Sequence, residues 1–114
     1  MEYFSARLIV VSLVDNGKPG KKNLCDESIM VFKAKDYQHA FERALELGKE
    51  HEHAYRNSND QNVRWAFVEV AEVRCIGKKI DGVEVTSKLF DLSSKKPVSF
   101  DKQFHPEDKL PHQS

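Results

Sequence analysis

The residues that first suggest chemistry are the two histidines and two carboxylates crowded into Gly48-Lys-Glu-His-Glu-His-Ala-Tyr55. Imidazoles and carboxylates at such density are what a metal site or a general acid/base pair requires. Their spacing argues otherwise. On a helix each residue advances by about 100°, so His51 and His53 stand roughly 200° apart, whereas an HExxH arrangement uses a four-residue step to bring both imidazoles to one face. On a strand the pair would project together, but the apolar stripe before it continues through His51 to Tyr55 and predicts a helix end. The expectation is His53 and Glu50 in water, His51 against a sheet, and neither metal nor cofactor.

Glu69 stands in an apolar row between Phe67 and Ala71, and Glu72 stands in the opposite row between Val70 and Arg74. A carboxylate among apolar neighbours must be exposed, paired or shifted in pKa. In a regular strand these two face opposite ways and form no acid/base couple. Glu69 is expected either to pair with Arg7 or Lys88 across a sheet or to mark where the strand leaves its helical cover. Nucleophilic catalysis lacks a Gly-x-Ser-x-Gly elbow, and Gly17-Lys-Pro-Gly20 lacks the spacing and terminal Lys-Ser/Thr of a phosphate loop. Arg64-Trp65-Ala66-Phe67 has the residue types of a nucleic-acid platform. Single-strand binders, however, expose several aromatics in a cationic groove, and here Lys+Arg 18 balance Asp+Glu 18. Nucleic acid is therefore not an expected partner.

The elements that position these residues follow from periodicity. Tyr3 to Val14 alternates as a strand whose second face turns apolar toward its end, so that half is expected to be covered on both sides. Asp15-Asn-Gly-Lys-Pro-Gly20 carries turn chemistry and predicts a hairpin, with a return strand from Cys25 to Ala34. Asp36 is an N-cap for an amphipathic helix, on which Tyr37, Ala40, Phe41, Ala44, Leu47, Gly48, His51 and Tyr55 form one stripe. Gly48 costs about 1 kcal/mol within a helix, which predicts either very close packing on a sheet or fraying beyond it. After the polar loop 57–62, Val63 to Ile76 reads as a long strand of a length that invites bulges, and Val83 to Leu92 reads as a fourth strand beyond a glycine-bounded turn. The fold class is α+β: an antiparallel sheet in ββαββ order with the helix on one face. Residues 1–92 form one domain, and the proline-containing 93–114 is expected to be a mobile tail.

Two cysteines, Cys25 and Cys75, stand far apart in a chain that begins without an export signal, which predicts reduced core thiols and a cytoplasmic protein. No apolar run approaches the ~20 residues of a membrane span.

Taken together, Phe4-Ser-Ala-Arg-Leu8, Asp26-Glu-Ser-Ile29, Ala40 to Gly48, Tyr55-Arg-Asn57, Val63-Arg-Trp-Ala-Phe-Val-Glu-Val70 and Asp81-Gly-Val-Glu-Val-Thr-Ser87 resemble the small bacterial family of domain of unknown function 4288. The resemblance covers about residues 3–92 and is carried by the order and spacing of all six stretches. It implies no activity. It does select Glu27, Ser28, Tyr55, Asn57, Trp65, Glu69 and Ser87 as recurring polar or aromatic places, either a structural network or a shallow recognition pocket near the helix end. The expectation is a small non-enzymatic binding module of the immunity-protein or adaptor type, whose partner is another protein or a second copy in a homodimer. The competing expectation is a small-ligand binder or minor enzyme using Glu27, Tyr55, Trp65 and Glu69.

Overall fold

The computed structural model describes residues 1–15, 23–91, 106–108 and 110–111. β1 (Glu2–Val14), β2 (Cys25–Ala34), α1 (Tyr37–Glu50), β3 (His53–Arg56) and β4 (Asn62–Gly77) follow in that order. The strands form an antiparallel sheet ordered β2-β1-β4-β3. The class is α+β in ββαββ order, but the second pair of strands is not the expected one. His53–Arg56 form the short β3, where the apolar stripe through Tyr55 predicts a helix end. The segment expected as a strand over 83–92 has no regular structure through residue 91, with Leu92 outside the described residues. In that segment Leu89 and Phe90 are exposed. Most of the β1–β2 turn and most of the tail from residue 93 also lie outside the described residues; within the tail, Pro106–Asp108 is a single 3-10 turn.

The alternation of β1 builds the core. Phe4, Ala6, Leu8 and Val10 are buried on the helix side, and Leu8 is the largest side chain fully removed from water. Val11 and Leu13 are buried on the other side as well, in the half of the strand whose second face turns apolar. Asp36 caps α1, its carboxylate accepting from the His39 N–H at 2.8 Å. The contact stripe of α1 is narrower than its apolar spacing implies. Ala40, Ala44 and Gly48 are buried, while Tyr37 and Phe41 are largely exposed at its margins. These small residues at four-residue steps let the helix approach the sheet closely, and Gly48 is placed so that a Cβ would run into the ring of Phe67. Close packing, and not fraying, explains the glycine.

β4 is not regular. Against β1 its register slips between Tyr3/Phe4, Arg7/Leu8 and Ile9/Val10, leaving Ile76, Ala71 and Val68 as extra residues. Each extra residue inverts the alternation beyond it. As a result Val70 turns onto the helix side with Phe67 and Val73, and Glu69 joins Glu72 on the opposite side, contrary to the opposite-face reading of these carboxylates. The core gains a valine, and the carboxylate avoids burial.

Candidate functional site

Two regions gather polar and aromatic side chains. The first lies on the helix side, beyond the end of α1. The helix stops at Glu50 because His51 caps it, its N–H donating to Gly48 O at 3.1 Å, and the chain then enters β3. On β3 the two-residue step places His53 and Tyr55 on one face, against Trp65 and Val63 of β4. The rings of His53 and Trp65 lie nearly parallel with centroids 6.3 Å apart; His53 and Tyr55 do so at 5.9 Å. The Trp65 indole N–H donates to the Tyr55 hydroxyl at 3.4 Å. His51 Nδ1 meets Leu47 O at 2.9 Å and His53 Nδ1 meets His51 O at 3.1 Å. A carbonyl can only accept, so both imidazoles carry a proton on Nδ1. His51, His53 and Trp65, with Val10, Leu24, Cys25 and Asp26, line an open cleft of about 410 Å³.

The reading of His51 and His53 as two faces of one helix is thus corrected: they flank a helix-to-strand junction and share a cleft. The sequence pattern missed this because β3 is exposed along its whole length and has no buried face to impose alternation. Among the described residues no group of three or more His, Cys, Asp or Glu is placed to hold a metal ion.

The second region lies on the opposite side of the sheet, which no helix among the described residues covers. Arg7 donates to Glu27 at 2.6 Å, and directly across β4 it faces Glu72. The hydrogen bond and charge of Glu27 hold the guanidinium more firmly protonated than usual. Of the alternatives for Glu69, a pair with Arg7 is not formed; Arg7 is taken by Glu27, while Glu69 lies opposite Ile9 on the side away from the helix. Beside this cluster Ile29 and Val31 are 42% and 39% exposed.

The family model described as Domain of unknown function (DUF4288) matches residues 3–87. The chain belongs to the DUF4288 family. No curated protein and no solved structure matches it.

The DUF4288 fold distributes the seven selected residues over several places. Tyr55 and Trp65 meet in the helix-side corner. Ser28 also faces the helix side, and its hydroxyl donates to Asp26 at 3.3 Å. Glu27 and Glu69 stand on the opposite side. Asn57 organises the β3–β4 loop: its side-chain oxygen accepts from the N–H groups of Asn59 at 2.9 Å and Gln61 at 3.0 Å, and its amide donates to Gln61. Ser87 is exposed in the irregular segment after β4. Glu27, Tyr55, Trp65 and Glu69 therefore cannot line one pocket. Asp26, His51 and His53, which do share a cleft with Trp65, escaped selection because their meeting depends on the junction after α1.

The two cysteines are unpaired and exposed, so they are not core thiols. The Cys75 thiol donates to Glu2 at 3.0 Å, and this carboxylate, with partial desolvation, raises the thiol pKa above its ordinary value. No described helix is long and apolar enough to cross a membrane.

Proposed function

We propose that this DUF4288 chain is a small, cytosolic, non-enzymatic recognition module that binds another protein through the helix-free face of its sheet, in the manner of an adaptor or immunity protein. The observation that carries this reading is the make-up of that face. Exposed Ile29 and Val31 adjoin the Arg7–Glu27 pair, with Glu69 and Glu72 on the neighbouring strand. Apolar contacts bordered by fixed charges of both signs suit a protein surface, where charge sets orientation and apolar burial supplies affinity. Because Trp65 and Glu69 face opposite sides, the ligand pocket that would have combined them has no support. Affinity capture tests the proposal. Wild type should retain a partner that the Glu69→Lys/Glu72→Lys variant loses. Retention by the variant, or no partner together with thermal stabilisation by a metabolite, would count against it.

A second reading has its own observation, the cleft beyond α1. Its polar lining holds the Asp26 carboxylate and the imidazoles of His51 and His53, beside the Trp65 ring. Such a lining suits a donor-rich organic cation. A thermal-shift series with simple amines and guanidines tests it, and stabilisation that disappears in Asp26→Asn would favour this reading.

A further inference from the structure

β2 is an edge strand, and the direction of its free backbone groups can be derived. Ser12 N–H donates to the carbonyl of Leu24, the residue directly opposite it in a register that sets Val11 against Cys25. Bonded and non-bonded pairs alternate in an antiparallel ladder. The even-numbered residues from Leu24 to Ala34 therefore turn their N–H and C=O toward β1, and Cys25, Glu27, Ile29, Val31 and Lys33 turn theirs outward. No strand among the described residues receives them. The edge is also poorly protected, since Cys25–Ala34 contains no proline and a single lysine, and its pairing with β1 has no bulge.

We infer that β2 pairs antiparallel with β2 of a second copy, about a two-fold axis at Met30, to join two sheets into one. The register follows from the outward residues. With Met30 on the axis, Glu27 stands opposite Lys33 of the partner subunit and Ile29 stands opposite Val31 of the partner subunit, each pair occurring twice by symmetry. Charge meets opposite charge, and two half-exposed apolar side chains cover each other. Sliding one strand by two residues in either direction sets Glu27 or Lys33 against a valine or isoleucine. Glu27 already receives Arg7 on Oε1, which leaves its second oxygen for the lysine. Antiparallel pairing in one sheet keeps both helices on the same side and makes the helix-free face continuous across the seam. Glu69 and Glu72 lie on β4, away from this edge, so a failure of partner capture and a failure of dimerisation are separate results.

Sedimentation equilibrium of the full chain over a concentration series tests the inference. Wild type should reach the dimer mass. Val31→Pro removes an outward N–H at a position where an edge strand tolerates proline, and should raise the dissociation constant by about tenfold or more with an unchanged circular dichroism spectrum. Met30→Cys in a Cys25→Ser/Cys75→Ser background should form an intersubunit disulfide under mild oxidation, because cysteines at a non-bonded antiparallel pair lie within disulfide reach. Should Met30→Cys not fold, zero-length carbodiimide coupling of the wild-type carboxylate of Glu27 to the amine of Lys33 of the partner subunit reports the same register, since both residues lie within β2 and are exposed. A monomer at every concentration, a dimer untouched by Val31→Pro, or no crosslink by either route would overturn it.

Discussion

Gly48 lies so close over the ring of Phe67 that the helix has no room there for a Cβ. The contact sets the distance between α1 and the sheet. Helix propensity alone would make Gly48→Ala stabilising by about 1 kcal/mol, whereas overpacking typically costs ~1–3 kcal/mol. Phe67 is half-buried among the core residues around Leu8 and Ala44, so the clash should win. Gly48→Ala is expected to lower the unfolding free energy by a net ~1 kcal/mol, read as a lower urea midpoint, and a raised midpoint would show that the ring yields freely.

The bulges of β4 make an equally sharp prediction. Simple alternation puts Val68 and Val70 on one face, but the bulge at Val68 leaves that residue exposed and turns Val70 into the core. Val68→Asp should change stability by no more than about 0.5 kcal/mol, and Val70→Asp should cost ~3 kcal/mol or prevent folding. Equal effects in thermal unfolding would mean that β4 is regular.

Asn57 holds the β3–β4 loop through two accepted backbone N–H bonds. Its replacement by alanine leaves those donors to water or unpaired, with an expected loss of ~1–2 kcal/mol. Hydrogen exchange should locate the loss: protection falls at Asn59 and Gln61 first, while the β1 core amides follow only global unfolding.

At Cys75 the neighbouring Glu2 carboxylate opposes formation of the thiolate. In a Cys25→Ser background, Glu2→Gln should speed alkylation of Cys75 severalfold at fixed pH, because the thiol pKa falls back toward its ordinary value. The linkage has a definite sign. With the folded thiol pKa raised, the unfolded chain binds fewer protons in the interval above the ordinary thiol value, so stability falls as pH rises through that interval. Removing the thiol with Cys75→Ser should abolish this part of the alkaline loss.

Local patterns carried the first half of the fold. β2 spans Cys25–Ala34 as its alternation reads, and Asp36 caps α1 as a short acceptor before an amphipathic run should. These signals are legible because each resides in a few consecutive residues with a fixed period or a fixed cap geometry. The four residues of β3 carry no such period, being exposed throughout, and they are a strand because β4 offers an edge from Asn62 to Trp65. Conversely, the stretch 83–91 alternates acceptably but pairs with no strand among the described residues, since alternation is necessary for a half-buried strand and not sufficient for one.

The sequence by itself determined the α+β class, the family, the central strand and its helical cover, and a glycine that demands close approach. Tertiary structure alone decided which side chains meet. Register slips, which depend on what lies across the sheet, sent Glu69 away from Trp65, and a helix ending at Glu50 brought His51 and His53 into one cleft. The reason is range: period and capping act within a turn or two, while the face a side chain occupies depends on every bulge and strand ending between it and its partner.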